Sequence, residues 1–429
     1  MNAPADITAV SHDAIKPCSG PPLRVALLGY RSAPHTGGQG VYLRYLSRAL
    51  RSRGHSVSVI SGPPYPELDD GVPLHTLPSL DLYAKGLASV SVGTLWRDPL
   101  ARTEWFSKLT GGFAEPWTFG ERVKKWMLAH ADEFDIVHDN QTLADGVLAL
   151  QEAGMPLVST IHHPITRDFR LALAAAPGWR HRVLVRRWYR FLGMQTRVAR
   201  SLNNIVTVSG VSRRDICADF GVDPNRVQVM HNGVDTELFK PMPEISRNPD
   251  QLMATASADA PIKGLQVLLR AAAGLAKRRP GLRLLLIGKP KPGGDTEKLI
   301  ESLGLASRIQ WLSGVDQSHM VKLYAESAVA VVPSLYEGFG LPAVEAMACG
   351  IPLVSSDGGA LSEVVGDGGV QVPAGDAEAL ERALDDMLSD PLAQREWARR
   401  ARQRAETQFS WAICAERLEH YYRARLRQC

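Results

Sequence analysis

The hydrophobic positions of this chain fall into short apolar runs that alternate with longer stretches of helical spacing. Residues 23–29 form the first apolar run, and a polar, glycine-rich loop follows it. Residues 41–53 then repeat apolar positions with helical spacing as far as Gly54, and residues 55–60 are the next apolar run. Short apolar runs predict buried strands and the spacing between them predicts a helix, so this part of the chain is predicted to be a β-α-β unit.

The same alternation continues along the chain. Further apolar runs predict strands at residues 135–138, 156–161, 204–208, 282–287, 309–312 and 328–332. Helical spacing predicts helices between the later runs, at residues 263–279, 295–302 and 318–326. This repetition favours an α/β fold with two parallel sheets that carry helices on both faces. We therefore expect two Rossmann-like domains that face each other across a cleft, bordered by the C-terminal ends of the strands.

The predicted domains are separated by a proline-rich stretch at residues 222–249. We predict a mobile tail at residues 1–20, an N-terminal domain at residues 21–222 and a C-terminal domain at residues 223–408. Residues 409–429 again show apolar positions with helical spacing and are predicted to form a terminal helix.

Composition and charge narrow the possible functions. The formal net charge of +4 over 429 residues is too small to indicate nucleic acid binding. The five cysteines are scattered and form no Cys-x-x-Cys pair, which argues against a zinc site and favours a reducing compartment. We find no apolar stretch long enough to span a membrane and no secretory signal, so we expect a cytoplasmic protein.

The most informative segment is residues 333–345, which read Pro-Ser-Leu-Tyr-Glu-Gly-Phe-Gly-Leu-Pro-Ala-Val-Glu. Gly338 and Gly340 would let the backbone approach a ligand closely. Glu337 would lie where a strand ends and a helix begins, and Glu345 about two turns further along that helix. Free N–H groups at a helix start bind phosphate, and carboxylates accept hydrogen bonds from hydroxyl groups. The segment therefore predicts a site for a ligand that carries both phosphate and hydroxyl groups.

This segment resembles the Glu-x7-Glu signature of the retaining, nucleotide-sugar-dependent glycosyltransferases of family 4, which have the GT-B fold. The resemblance also covers residues 351–365, 231–235 and 36–42, and so spans nearly all of the chain beyond the first twenty residues. It implies transfer of a hexose from a UDP- or GDP-sugar to a hydroxyl group of a saccharide or glycolipid acceptor. In this fold the terminal helix, residues 409–429, crosses back onto the first domain.

The resemblance also implies which residues bind the donor. The donor-binding segment would consist of Glu337, Gly338, Phe339, Gly340, Leu341 and Glu345. Lys263, in a Lys-Gly pair, would neutralise the charge of the departing diphosphate. Gly37 and Gly38 would face the same diphosphate from the N-terminal domain, where their loop opens a helix.

At one donor position the sequence departs from the family. Ser257 stands where these enzymes usually have an arginine, and a serine supplies no positive charge. Lys289 or Lys291, in a glycine- and proline-rich loop, would be placed to supply that charge instead; the alternative is that both are solvated loop lysines. The departure bears on how the diphosphate is held and leaves the expected fold unchanged.

The histidine that ends the motif Ser-Thr-Ile-His, His162, resembles a strand-end histidine of the family near the sugar C6 hydroxyl group. We assign it to the catalytic set with Lys263 and Glu337, as a hydrogen-bonding group for the donor sugar. His163, Asn140 and Gln141 also follow strand ends and are candidate contacts for the acceptor. Retention in the family is attributed to front-face attack, so we expect activity with no cofactor and no divalent metal.

Residues 167–214 are rich in arginine, with Asp168 inside the segment and Asp215 directly after it. Within it, arginines such as Arg186, Arg187 and Arg190 are interleaved with apolar and aromatic residues. Three interpretations remain open: peripheral contact with an anionic membrane, binding of a phosphorylated acceptor, or a partly buried helix with a solvated basic face.

Other functions fit the same predicted architecture. A nucleotide-sugar epimerase would need no acceptor, and a phosphorylase would need inorganic phosphate and a pyridoxal-phosphate lysine, for which we find no motif. A non-catalytic sugar-binding relative would be compatible with Ser257. A nicotinamide dinucleotide site is disfavoured, because the first glycine loop is not Gly-x-Gly-x-x-Gly and no acidic residue closes the second strand.

Overall fold

The computed structural model describes residues 20–34, 38–255 and 260–427. Two parallel sheets, one of seven strands and one of six, form the centres of two α/β domains. This confirms the predicted fold class. The predicted tail at residues 1–20 lies outside the described residues except for Gly20, and Gly37 and Ser257 lie outside them too.

The first domain contains a sheet in the order β3-β2-β1-β4-β5-β6-β7. Its elements in chain order are β1 (Arg24–Gly29), α1 (Gln39–Ser52), β2 (Ser56–Ser61), β3 (Leu74–Thr76), α2 (Leu82–Lys85), α3 (Val92–Arg97), α4 (Pro99–Leu109), α5 (Glu115–Ala129), β4 (Ile136–Asn140), α6 (Asp145–Glu152), β5 (Leu157–Ile161), α7 (Thr166–Ala174), α8 (Trp179–Trp188), α9 (Leu192–Ser201), β6 (Ile205–Thr207), α10 (Gly210–Phe220) and β7 (Val227–Val229).

The second domain contains a sheet in the order β10-β9-β8-β11-β12-β13. Its elements, with the terminal helix, are β8 (Asn248–Thr255), α11 (Leu265–Ala276), β9 (Arg283–Ile287), α12 (Asp295–Ser302), β10 (Ile309–Leu312), α13 (Gln317–Glu326), β11 (Ser327–Val332), α14 (Leu341–Ala348), β12 (Leu353–Ser356), α15 (Leu361–Val365), β13 (Val370–Val372), α16 (Ala377–Ser389), α17 (Pro391–Phe409) and α18 (Trp411–Leu426).

The central strands are buried because helices cover both faces of each sheet. Every residue of β4, β5 and β11 is buried, as expected for parallel strands that are covered on both faces, although β4 ends in the polar residues His-Asp-Asn. All the strand pairs within the two sheets are parallel, so the C-terminal ends of neighbouring strands meet at one edge of each sheet. The two edges face each other and border the cleft.

The structure corrects two predicted boundaries and adds one strand. The pairing of β6 with β7 extends the first sheet to Val229, beyond the predicted domain end at residue 222. Strand β8, which lies in the middle of the second sheet, was not predicted, because a polar Asn-Pro-Asp start leaves only a short apolar run. The helix predicted at residues 263–279 begins only at Leu265, since Gly264 takes a left-handed conformation with φ 67°.

The terminal helix α18 packs on the first domain. Its residues Ala415, Leu418 and Tyr422 belong to the same buried cluster as the apolar residues of β1, α1 and β2. Glu419 of this helix is fully buried and forms an ion pair with Arg53, whose Nη2 lies 2.7 Å from Glu419 Oε2. The helix thus returns from the second domain to the first and carries its first residues into the space between them.

Candidate active site

A cavity of about 560 Å³ lies between the two domains, where the carboxyl ends of both sheets meet. Loops that follow β5 and β11 contribute to its walls, together with the start of α1, the start of α14 and the connection between the domains. The predicted site residues that line it are Gly38, Gln141, His162, His163, Lys263, Glu337, Gly338, Phe339, Gly340, Leu341 and Glu345. Sequence positions more than two hundred residues apart are therefore brought to one cavity.

Lys263 and Glu337 form the charged centre of the second domain's wall. The Nζ of Lys263 lies 2.8 Å from Oε1 of Glu337, and the hydroxyl group of Ser334 donates to the same oxygen over 2.8 Å. Glu337 is 9% exposed, so these partners hold its carboxylate within a narrow range of positions. A cation and a carboxylate are thus held next to each other at the edge of the cavity.

The position of Lys263 depends on Gly264. Residues Pro261–Lys263 form one turn of 3₁₀ helix, and Gly264 follows with φ 67°. A Cβ atom at this position would lie 1.9 Å from the carbonyl oxygen of Pro333, so only glycine allows this close approach of the two loops. The Lys-Gly pair therefore joins the turn that carries the lysine to the strand end that precedes Glu337.

Glu345 projects from the second turn of α14. Pro342 occupies the first turn of this helix, where its missing N–H group costs nothing, and Gly340 precedes it with φ 100°. Burial raises the pKa of Glu345 to about 7. The carboxyl group lines the cavity, so it can accept or donate hydrogen bonds depending on pH.

The loop between Glu337 and α14 offers mainly backbone groups to the cavity. The side chain of Phe339 is 5% exposed and packs against Phe409 and His231, with ring centroids 5.8 and 6.1 Å away. Phe339 therefore anchors the loop in the core. The free N–H groups at the start of α14 give this segment a positive end that favours an anion.

The first domain forms the opposite wall. Helix α1 begins at Gln39, two residues earlier than predicted, and Gly38 precedes it in a left-handed conformation with φ 75°. Both residues line the cavity, which places the start of α1 opposite the start of α14. Two helix N-termini thus face one space, and both favour negative charge there.

His162 is fixed by two polar neighbours from the end of β4. Its Nε2 donates to Oδ1 of Asn140 over 2.8 Å, and its backbone N–H donates to Oε1 of Gln141 over 2.7 Å. The amide nitrogen of Gln141 donates in turn to the carbonyl oxygen of His163 over 2.8 Å. Burial lowers the pKa of His162 to about 3, so its ring is neutral at physiological pH.

These contacts show that the three candidate acceptor residues have different positions relative to the cavity. Asn140 is fully buried behind the cavity wall, and its side chain orients His162. Gln141 lines the cavity but uses its amide group to hold the loop at residues 162–163. His163 is exposed at the mouth of the cavity, where its Nε2 lies 3.6 Å from Oδ2 of Asp168.

An aromatic wall was missed by the sequence analysis. Tyr42 and Tyr45 of α1 and Trp411 of α18 line the cavity together. The rings of Tyr45 and Trp411 are stacked with centroids 5.8 Å apart, and the ring of Tyr42 contacts that of His162 edge to face at 4.9 Å. The helical spacing of Tyr42 and Tyr45 marks one face of α1, but no sequence signal links that face to Trp411.

The positions of the loop lysines do not show which residue supplies the positive charge that is missing at Ser257. Lys289 and Lys291 follow β9, both side chains are exposed, and neither is among the described residues that line the cavity. Their role as substitutes for the arginine stays a prediction. Among residues 20–34, 38–255 and 260–427, no group of three or more His, Cys, Asp or Glu side chains could hold a metal ion.

Two parallel-sheet domains that face each other across a cavity are the architecture of the GT-B fold, and the two helix N-termini and the Lys–Glu pair give this cavity polar groups suited to a phosphate-bearing ligand. Two family models cover most of the chain: "Glycosyltransferase Family 4" matches residues 36–238, and "Glycosyl transferases group 1" matches residues 242–404. The chain belongs to the family 4, group 1 glycosyltransferases, and it is a glycosyltransferase of the GT-B fold.

Curated relatives cover nearly the whole chain. The MMP alpha-(1->4)-mannosyltransferase of Mycolicibacterium hassiacum is 45% identical over 409 residues, which are 94% of this chain and 98% of the relative. The D-inositol 3-phosphate glycosyltransferase of Segniliparus rotundus is 29% identical over 434 residues, which are 94% of this chain and 90% of that protein.

Solved structures share the fold at low sequence identity. Sucrose-phosphate synthase from Thermosynechococcus elongatus superposes with a TM-score of 0.69 at 21% identity, over 95% of this chain and 100% of that structure. The Anabaena protein HepE, in complex with UDP and glucose, gives 0.66 at 18% identity over 94% and 100% of the two chains. In the part of the chain that the structure describes, no helix has the length and apolar character needed to cross a bilayer.

Proposed function

We propose that this protein is a retaining hexosyltransferase that moves mannose from a nucleotide sugar to a hydroxyl group of a saccharide acceptor. The observation that carries the proposal is the 2.8 Å contact between Lys263 and Glu337 at the edge of an interdomain cavity. The start of α14 lies beside this pair and the start of α1 lies opposite. This arrangement suits a diphosphate flanked by two sugars.

The main chemical task is to stabilise the charge of the departing diphosphate. As the bond from the anomeric carbon to the phosphate oxygen breaks, negative charge builds on the phosphate and positive charge on the sugar. Lys263 and the N–H groups at the two helix starts would stabilise the phosphate. Glu345 would hold hydroxyl groups of the nucleotide. His162 would accept a hydrogen bond from a sugar hydroxyl group at Nδ1, because its one ring proton is on Nε2, bound to Asn140.

Front-face attack would preserve the anomeric configuration. The acceptor hydroxyl group approaches from the side of the leaving diphosphate, its oxygen bonds to the anomeric carbon, and a phosphate oxygen takes its proton. This scheme needs no second carboxylate of the glycosidase type. It also needs no divalent metal, since Lys263 and the helix starts supply the positive potential. Full activity in the presence of EDTA is therefore expected.

The choice of mannose rests on the relative that is 45% identical and is named an alpha-mannosyltransferase. From an α-linked nucleoside diphosphate mannose, an α-linked product means that the configuration is retained. Both UDP- and GDP-linked donors remain candidates for this chain. A saccharide acceptor follows from the same relationship, and a glycolipid acceptor is the alternative.

The proposal is tested first by ligand binding and then by turnover. Thermal-shift measurements with UDP, GDP and ADP should identify the base, because a ligand at a hundred times its Kd stabilises by about 2.7 kcal/mol. Transfer from the matching mannose and glucose nucleotides to mannose oligosaccharides would follow, with the anomeric configuration read by NMR. Glu337→Ala should abolish transfer, whereas Glu378→Ala, on an exposed helix start, should retain it.

The alternatives give different outcomes in the same experiment. Conversion of the donor to an epimer without acceptor would identify an epimerase. Nucleotide binding without turnover of any donor would identify a non-catalytic relative. An inverted product would contradict the front-face scheme while leaving the transferase class intact.

We propose a peripheral membrane contact as a second, separable property. Several arginines of residues 167–214 are engaged within the protein: Arg170 with Asp219, and Arg197 with Asp145. Helix α8, however, exposes apolar side chains next to basic ones; its exposed apolar residues are Trp179, Val183 and Leu184. Sedimentation with anionic vesicles, reduced in the triple variant Arg186→Gln/Arg187→Gln/Arg190→Gln, would support this contact. Equal sedimentation of wild type and variant would reject it.

A further inference from the structure

The start of α10, in the first domain, contacts the donor-binding loop of the second domain. Ser209 precedes the helix and Ser212 lies in its first turn. Both hydroxyl groups donate to the carbonyl oxygen of Gly338, over 2.6 Å from Ser209 and 3.1 Å from Ser212. Both serine side chains are fully buried, so water does not compete strongly for these hydrogen bonds.

Two further contacts join the same helix to the second domain. The hydroxyl group of Tyr336, two residues before Gly338, donates to the carboxylate of Asp215 in the second turn of α10. On the other side, Oε2 of Glu363 accepts from the backbone N–H of Gly210 over 2.8 Å. Tyr336 and Glu363 of the second domain therefore both bind the N-terminal half of α10.

The Gly338 carbonyl is an effective point at which to fix this loop. A trans peptide group holds its C=O and N–H antiparallel, so the orientation of this carbonyl also sets the N–H of Phe339. Gly338 has no side chain of its own to hold it, and a Cβ atom there would have no neighbour closer than 3.6 Å. The contacts that fix the direction of its carbonyl group are the hydrogen bonds from Ser209 and Ser212.

We propose that Ser209 and Ser212 are positioning residues that order the donor-binding loop only when the two domains are closed. In an open cleft both hydrogen bonds are broken, and the peptide between Glu337 and α14 regains its freedom. Closure and donor binding would then favour each other, because the ordered loop belongs to the closed form. This inference rests on the proposed transferase function, since the loop is the one that would bind the donor.

The test uses two variants of the full-length protein. Ser212→Ala removes one hydroxyl group but keeps Ser209, whose Oγ accepts from the N–H of residue 212 and caps the helix. Ser209→Ala/Ser212→Ala removes both contacts. We expect kcat/KM for the donor to fall about tenfold in the double variant and less in the single one, with the KM for the acceptor unchanged.

A matched control separates positioning from the loss of a helix cap. Asp376 caps α16, with its Oδ1 2.9 Å from the N–H of Ala379, and α16 is outside the cavity wall. Asp376→Ala should cost a similar amount of stability and leave the donor kinetics unchanged. Donor-induced compaction, measured by small-angle scattering, should be reduced in the double serine variant and normal in the control.

The outcomes distinguish this inference from the proposed function. Donor kinetics and compaction within twofold of wild type in the double variant, or an equal loss in Asp376→Ala, would overturn the inference. If wild type transfers no sugar from any donor, the proposed function fails instead. The nucleotide Kd values of wild type and double variant, with UDP and GDP as probes, then decide the inference: equal values reject it and a weakened variant supports it.

Discussion

The ammonium group of Lys263 donates a hydrogen bond to the carboxylate of Glu337 over 2.8 Å, across 74 residues of sequence. The pair lies between two helix N-termini, and the carboxylate keeps a second hydrogen bond from Ser334. Glu337 thus holds Lys263 at the cavity, and its carboxylate keeps the hydrogen bond from Ser334 if the lysine is removed. A neutral residue in place of the lysine should change the chemistry far more than the fold.

Lys263→Ala is expected to lower kcat by about 10²–10³-fold, by analogy with the loss of one oxyanion-stabilising group. The expected cause is the uncompensated charge of the departing diphosphate. Steady-state kinetics with the donor identified by thermal shift would measure the effect. Lys277→Ala, at the exposed end of α11, is the matched control and should behave as wild type. A Lys263→Ala protein with normal turnover would remove this residue from the mechanism.

Donor affinity should depend on pH through Glu345. Burial raises its pKa to about 7, so the folded protein holds the proton more tightly than the unfolded chain. The carboxylate form accepts two hydroxyl hydrogen bonds, and it predominates only above pH 7. Donor binding should therefore weaken as the pH falls through 7. Well below pH 7 we expect the donor affinity to fall about tenfold per pH unit, as measured by calorimetry with the intact nucleotide sugar.

Glu345→Gln provides the control for this pH dependence. The glutamine has no proton to exchange, so its donor affinity should be flat between pH 5 and 8. The linked stability effect has the opposite sign: the raised pKa favours the folded state fully below about pH 4.5, and this contribution is lost as pH rises through 7. Parallel pH profiles for wild type and Glu345→Gln would show that another group is responsible.

Asn140 should act on catalysis through His162. Loss of the 2.8 Å hydrogen bond in Asn140→Ala frees the imidazole ring, and we expect kcat/KM to fall about tenfold. Because burial lowers the pKa of His162 to about 3, no inflection from this ring should appear between pH 5 and 8 in wild type. Asn203→Ala, on an exposed loop of the same domain, is the control. Unchanged kinetics in Asn140→Ala would mean that His162 needs no such support.

The buried ion pair between Arg53 and Glu419 should fix the terminal helix. Glu419→Ala leaves the Arg53 guanidinium group buried without its partner, which typically costs about 3–5 kcal/mol. Glu396→Ala removes a carboxylate from exposed pairs with Arg399 and Arg400 and should change the melting temperature far less, because exposed ion pairs contribute little to stability. Scanning calorimetry compares the two variants. Equal melting temperatures would contradict this assignment.

Much of the site could be predicted from local sequence because its parts are contiguous. The segment from Glu337 to Glu345 encodes a strand end, a glycine turn and a helix start, and the structure contains all three. The Lys-Gly pair at residues 263–264 was also recognisable. Its helix was placed too early, since helical spacing alone does not show that Gly264 would adopt a positive φ.

Other features depended on contacts between distant residues. Strand β8 is the central connection of the second sheet, but its few apolar residues follow a polar start, and only pairing with β9 and β11 makes it a strand. Asn140 was predicted to contact the acceptor because it follows a strand. Its side chain instead supports His162, because parallel pairing of β4 with β5 places the two strand ends side by side.

The sequence by itself determined the alternation of strands and helices, the two-domain architecture and the chemistry of the donor-binding segment. The spacing of apolar residues and the residues that form turns act over a few positions, so these features can be predicted from the linear sequence. Only the tertiary structure decided that Tyr42, Tyr45 and Trp411 form one wall and that two serines of α10 hold the Gly338 carbonyl. Those contacts join elements more than a hundred residues apart in sequence, and burial and domain packing, not local spacing, bring them together.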